Sequence, residues 1–189
     1  LIKGLKEEDS AASFRLWGGD MMADAAGTGL IRHYKEGAVM GLTDVLSKAG
    51  KLIGNLKACK KDIIQWNPDV VILIDYPGFN LKIAAFCHKH SIKVFYYIPP
   101  KTWASREGRN KQLRRYVDRI YAVFPFEKAY FTEKEVPFTY KGNPLVDAID
   151  NHKYERPCEE PFIALLAGSR KGEISRMMPS SQLSGTALK

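Results

Sequence analysis

What most constrains this chain is a run of five apolar, mostly β-branched residues, Val70 to Ile74, bounded by Pro68-Asp69 and Pro77-Gly78. An unbroken apolar run of that length between turn signals reads as a strand buried on both faces, the pattern of a parallel sheet. The stretches Lys93 to Ile98, Arg119 to Phe124 and Phe138 to Lys141 read as further strands. Between them, helical patterns cover Leu81 to His90, Arg109 to Asp118 and Pro125 to Lys134. Strands alternating with helices of this length form βαβ units, so the expected fold is α/β, a Rossmann-like parallel sheet with helices on both faces.

The flanks are less regular. Leu1, Ile2 and Leu5 read as the tail of a helix, and Ser13 to Trp17 as a short alternating strand ending in Gly18-Gly19-Asp20. A glycine pair there allows close backbone approach to a ligand, or simply makes a turn. The signal weakens from Ile31 until Val39 to Leu46, which leads into a long amphipathic helix with Leu46, Ala49, Ile53, Leu56, Cys59 or Lys60, Ile63 and Ile64 at helical spacing. Residues 1–150 are expected to form one domain and 151–161, with Pro157 and Pro161, a linker. A buried strand from Phe162 to Leu166 then opens a second domain covering 162–178. Residues 179–189 lack apolar periodicity and are expected to be disordered.

Charge narrows the choice of partner. The chain carries 29 Lys and Arg against 21 Asp and Glu, a net charge of +8, which points to a nucleic acid, a phosphorylated metabolite or an anionic membrane surface. No apolar run approaches the ~18 residues that span a bilayer, and no signal segment opens the chain, so a cytoplasmic location is expected. Cys59, Cys87 and Cys158 are odd in number and lack CxxC spacing, which argues against a disulfide framework and a zinc site. His88 and His90 have no third ligand in view, so neither a metal nor a cofactor is expected.

Three constellations are suited to chemistry. The first is Asp75, an acid where the buried strand ends, followed by a Pro-Gly turn and Asn80 at the opening of a helix. Ligands of open parallel sheets bind outside the carboxyl ends of the strands, so Asp75 stands where chemistry would occur unless it merely caps the turn. The second follows the next strand, where Pro99-Pro100 leads into a loop and helix bearing Trp103, Lys101, Arg106, Arg109, Lys111, Arg114, Arg115 and Arg119. On that helix Arg106, Arg109 and Leu113 are expected to share a stripe, with Leu113, Tyr116, Val117 and Ile120 buried. The guanidinium fork suits phosphate and a neighbouring aromatic suits a sugar or acyl chain, against the plainer reading of a solvated basic face. The third is the Gly168-Ser169-Arg170 turn between a strand and a helix, where backbone N–H groups, the helix dipole and Arg170 suit a phosphate. The stretch from Tyr140 to Asp147 reads as a structural turn.

Taken in order, VMGLTDVL (39–46), PDVVILIDYPGFN (68–80), YYIPPKTWASREGRNKQLRRYVDRIYAVFPFE (96–127), YKGNPLVD (140–147) and LLAGSRKGEI (165–174) resemble the lipid-A-disaccharide synthase family. The resemblance implies a partial GT-B glycosyltransferase fold of two Rossmann-like domains. It also implies an inverting transfer of 2,3-diacylglucosamine from UDP-2,3-diacylglucosamine to the 6-hydroxyl of 2,3-diacylglucosamine 1-phosphate. The products are UDP and a β-1,6 disaccharide. Asp75 matches the acid of the family's I-D-x-P motif and is the candidate general base, with Asn80 positioning it or the sugar. Arg106 and Arg109 are candidates for the acceptor phosphate, Trp103 for the sugar or acyl chain, and Gly168, Ser169 and Arg170 for the donor diphosphate. Acylated anionic substrates imply peripheral contact with the cytoplasmic face of the inner membrane.

The chain departs from the family pattern in several ways. The family opens with a strand and a Gly-Glu-x-Ser-Gly-Asp loop, after which this chain begins, and only the start of the second domain is expected here. Ala167 stands where the family usually has Pro, Pro99 where it has Ser and Ser105 where it has Trp. The 189-residue chain by itself is therefore expected to be inactive. Two alternatives remain at this point, a GT-B enzyme acting on a soluble sugar and a basic nucleic-acid-binding module. An apolar groove near Val39, Met40, Leu42 and Trp103 would favour acylated substrates. Exposed strand aromatics or a known motif would favour nucleic acid.

Overall fold

The computed structural model of the chain describes residues 1–34, 45–156, 159–163, 166, 168–169 and 171–186. Val39, Met40, Leu42, Cys158, Ala167 and Arg170 lie outside the described residues. The chain divides into two units, Leu1–Val146 and Asp147–Lys189.

The first unit is α/β. Helix α1 (Ile2–Glu8) precedes strand β1 (Leu16–Gly18), helix α2 (Asp20–Ala26) and strand β2 (Leu30–His33). The long helix α3 (Val45–Trp66) then leads to β3 (Val70–Ile74), α4 (Pro77–Lys89), β4 (Lys93–Tyr97), α5 (Arg109–Tyr116), β5 (Arg119–Ala122), α6 (Glu127–Glu133) and β6 (Phe138–Tyr140). Helix α7 (Pro144–Asp150) follows β6. The strands from β3 onward match the alternation read from sequence to within two residues at each end. Helix α2, strand β2 and helix α7 carry weaker periodicity and emerge only in the structure. The Tyr140 to Asp147 stretch, read as a turn, runs into α7.

Parallel pairing is divided between two sheets, β1 with β2, and β3-β4-β5-β6 in sequence order. Within the larger sheet Ile74 pairs with Tyr97, Tyr97 with Tyr121 and Ala122 with Tyr140, so the carboxyl ends of β3, β4, β5 and β6 stand in line. Strand β3, expected to be buried on both faces, is instead an edge strand in which only Leu73 is buried and the other four residues are half-buried. The apolar run favours β structure locally, but burial depends on which neighbours arrive. Central strand β4 has the fuller cover, with Val94 and Tyr96 completely buried.

The core forms where α3, α4, α5 and α6 meet the sheet. It unites Leu56, Cys59 and Ile63 of α3 with Ile83 and Cys87 of α4, Leu113 of α5 and Phe131 of α6. Each fully buried side chain of Leu, Ile or Phe size contributes about 1.5–3 kcal/mol relative to exposure. Burial pushes the Cys59 thiol up to about 12 and the Cys87 thiol to about 11, so both behave as small apolar groups. The glycine pair sits close under two side chains: a Cβ on Gly18 would press on the Met22 sulfur and one on Gly19 on the exposed Tyr34 ring.

The second unit contains helix α8 (Lys171–Thr186). Two expectations change here. Phe162, Ile163 and Leu166 are exposed, and the described residues of this stretch form no strand. A strand needs a paired neighbour to satisfy its backbone groups, and the described residues of this unit supply none. Residues 179–186, expected to be disordered, continue α8, which runs unbroken through Pro179 to Thr186.

Candidate active site at the carboxyl end of the larger sheet

The chain turns out of β3 through two consecutive non-glycine residues in the left-handed region, Asp75 at φ +45° and Tyr76 at φ +43°. Each such residue costs about 1–2 kcal/mol relative to right-handed backbone. Pro77 then occupies the first turn of α4, where its fixed φ and missing N–H cost nothing. The Asp75 carboxylate is exposed, and no hydrogen bond or ion pair engages it among the described residues.

The backbone of this turn is tightly held. The Asn80 side-chain amide donates to the Asp75 carbonyl at 2.7 Å and to the Ile74 carbonyl at 3.1 Å. From β4, the Tyr96 hydroxyl donates to the same Asp75 carbonyl at 2.6 Å. Tyr96 is fully buried, and burial pushes its phenol above the usual range. The charges of Asp75 and Arg109 both act on that phenol, the first raising and the second lowering its pKa. Asp75, Asn80 and Tyr96 therefore gather at one place, within reach of the Arg109 charge. Tyr96 was not legible as part of this group, because its position in an apolar strand reads only as core.

The arginine stripe changes on folding. Helix α5 starts at Arg109, and Arg106 sits before it at φ +57°, exposed, so Arg106 and Arg109 do not share a helical stripe. Leu113 and Val117 are buried as expected, Tyr116 is half-buried, and Ile120 is buried from β5. Other basic residues have structural engagements. Arg114 donates to the Lys134 carbonyl at 2.6 Å, Arg119 to the Thr139 hydroxyl at 3.1 Å, and Arg115 lies over the Tyr116 ring.

Trp103 stands on the loop after β4, 39% exposed. Its indole N–H donates to Glu127 at 3.1 Å, and its ring meets Phe126 edge-on with centroids 4.9 Å apart. Phe126 is 51% exposed and stacks on Phe124, over which the Lys101 ammonium lies at 5.6 Å. Glu127 anchors this group from beneath, only 1% exposed, with its second carboxylate oxygen accepting the Val123 and Phe124 N–H groups at 3.0 Å. No local pattern marks Glu127 in the sequence.

Gly168 and Ser169 belong to the second unit and precede α8. Gly168 has φ +98°, and a Cβ there would meet the Glu173 carboxylate at 2.8 Å. An acidic group thus lies against the turn read as a phosphate site. His88 and His90 face different neighbours, Tyr116 and Phe86. Among the described residues no three His, Cys, Asp or Glu side chains gather as a metal site, and no helix is long and apolar enough to cross a membrane.

Comparison with known proteins places this geometry in context. The family profile described as lipid-A-disaccharide synthetase matches residues 1–189. A lipid-A-disaccharide synthase of Trichlorobacter lovleyi is 34% identical over 188 residues, covering 95% of this chain and 49% of that protein. That of Geobacter metallireducens is 37% identical over 187 residues, covering 95% of this chain and 48% of the relative. That of Syntrophus aciditrophicus is 38% identical over 170 residues, covering 86% of this chain and 42% of the relative. The chain spans about half the length of the curated relatives it matches.

Proposed function

Because the chain belongs to the lipid-A-disaccharide synthetase family, we propose that the full-length protein makes the lipid A disaccharide, as its relatives are named for, by joining two acylated glucosamines. The transfer moves 2,3-diacylglucosamine from UDP-2,3-diacylglucosamine to 2,3-diacylglucosamine 1-phosphate. The acceptor 6-hydroxyl oxygen forms a bond to the donor anomeric carbon while the bond from that carbon to the diphosphate oxygen breaks. The electron pair leaves on UDP, and the hydroxyl proton passes to Asp75. The configuration inverts. Neither a soluble-sugar donor nor a nucleic acid is favoured by the relatives' names.

The observation that carries this reading is the exposed Asp75 carboxylate at the end of a parallel strand, on a turn tied to Tyr96, whose phenol feels the Arg109 charge. A base must reach the attacking oxygen, and a cation close by suits an anionic acceptor. Arg109 and Arg106 receive the acceptor phosphate, and Trp103 packs on a sugar or acyl chain. Gly168, Ser169 and Arg170 take the donor diphosphate, and Asn80 fixes the turn that bears the base. The exposed Trp103 and Phe126 beside Lys101 support contact with the cytoplasmic face of the inner membrane.

Asp75→Asn tests the assignment. In the full-length protein it is expected to lower disaccharide formation about 10²–10⁴-fold, the scale of a lost general base, with circular dichroism unchanged. Near-full turnover by a folded Asp75→Asn protein would remove Asp75 from the mechanism.

A further inference from the structure

We propose that Tyr96 is a positioning residue for the transfer, its hydroxyl acting with the Asn80 amide to clamp the left-handed turn that presents Asp75. The proposal rests on the reading of Asp75 as the base. Its physical basis is the coincidence of strain and restraint at one carbonyl. Asp75 and Tyr76 both occupy the left-handed region without being glycine. Such conformations persist only where the surroundings over-determine them, and they concentrate at functional sites.

The restraint comes from two sides. The Asp75 carbonyl accepts the Tyr96 hydroxyl at 2.6 Å and the Asn80 amide at 2.7 Å, which fills both of its lone pairs. One donor arrives from the neighbouring strand and the other from the helix that follows. The turn is therefore tied to the sheet and to α4 together. Tyr96 is completely buried, where a phenylalanine would supply the same ring without a polar group to satisfy. The hydroxyl thus adds nothing to packing, and it engages the carbonyl of the acid together with the Asn80 side chain. Losing this tie lets Asp75 relax toward ordinary backbone angles and swings its carboxylate. A displacement of about 1 Å at a reacting group is worth about 10²-fold in rate.

Steady-state kinetics of the full-length protein test the clamp through Tyr96→Phe, Tyr96→Phe with Tyr76→Gly, and Asp75→Asn. Tyr96→Phe is expected to lower kcat about 10-fold to 10²-fold with KM for both substrates held within about twofold, because the base moves while the substrate contacts stay. Glycine adopts positive φ without penalty, so Tyr76→Gly added to Tyr96→Phe is expected to recover about threefold or more of the lost kcat. A purely structural hydroxyl would lower the melting temperature and leave kcat alone. If Tyr96→Phe keeps kcat within about twofold of the parent while Asp75→Asn lowers it about 10²-fold or more, the clamp is wrong and the base stands. A double variant no faster than Tyr96→Phe also overturns the clamp. If Asp75→Asn itself turns over normally, the base assignment falls and takes the clamp's role with it.

Discussion

Asp62 illustrates how one residue can join distant parts of the chain. It lies on α3, 8% exposed, and its carboxylate accepts Arg15 Nε at 2.9 Å and Trp17 Nε1 at 2.9 Å. These partners precede it by 47 and 45 residues, so the contact fastens β1 and its approach to the long helix. Burial alone would raise the Asp62 pKa, but the hydrogen bonds from Arg15 and Trp17, with the Arg15 charge, outweigh it and hold the carboxyl below its usual range. A folded-state pKa below the unfolded one stabilises the protein above the unfolded value, and the gain disappears as pH falls through the folded one. Asp62→Asn is therefore expected to cost about 1.5–3 kcal/mol at pH 7, the scale of hydrogen bonds to a charged group. The gap should narrow below about pH 4, near the unfolded pKa of Asp. Urea unfolding of parent and variant at neutral and acid pH reads both effects, and a pH-independent gap would contradict this account. No sequence pattern pairs Arg15 with Asp62, because the partnership exists only once α3 packs beside β1.

At the scale of elements, the loops after β4 and β5 work as one piece. Glu127 opens α6, accepts the N–H groups of Val123 and Phe124 just after β5, and accepts the Trp103 indole from the loop after β4. A buried carboxylate with three donors is worth far more than an exposed one, since removing it leaves those donors unpaired. Glu127→Ala is expected to lower stability by about 2–4 kcal/mol, summed from hydrogen bonds to a charged group. It should also shift Trp103 emission toward the red as the indole loses its anchor. Thermal unfolding and tryptophan fluorescence of Glu127→Ala would show this, and unaltered emission would mean that Trp103 is held by its ring contacts alone. The sequence marks Trp103 as a candidate ligand residue through its basic neighbours. Its anchor stays hidden because Glu127 reads as an ordinary acidic residue at a helix start.

Across the whole molecule, the +8 net charge meets an edge of the sheet that exposes aromatic side chains. Tyr76, Trp103 and Phe126 follow β3, β4 and β5 respectively and are 59%, 39% and 51% exposed. Aromatic rings beside lysine suit the boundary between headgroups and acyl chains, and basic charge is drawn to an anionic bilayer surface. The full-length protein is expected to sediment with phosphatidylglycerol vesicles and to release as salt rises, and Phe126→Ser with Lys101→Glu should weaken binding about tenfold. Each basic residue near an anionic surface contributes about 1 kcal/mol, and reversing its charge costs more than that. Binding that ignored both salt and these substitutions, or no binding at all, would contradict this reading of the aromatic edge.

Local pattern alone determined the strand and helix alternation from Val70 to Tyr140, the parallel pairing it implies, and the position of Asp75 at the end of a strand. These depend on side-chain periodicity and on proline and glycine, which act over a few residues. The ordered motifs also carried the family. Tertiary structure decided that β3 lies at an edge, that Arg106 stands apart from the α5 stripe, and that Phe162 to Ile163 is exposed. It also decided how Asp75 is held. The hydroxyl that meets its carbonyl comes from Tyr96, 21 residues further along. Only parallel pairing of β3 with β4 brings that donor to the strained turn, and nothing in the spacing of the two residues encodes it.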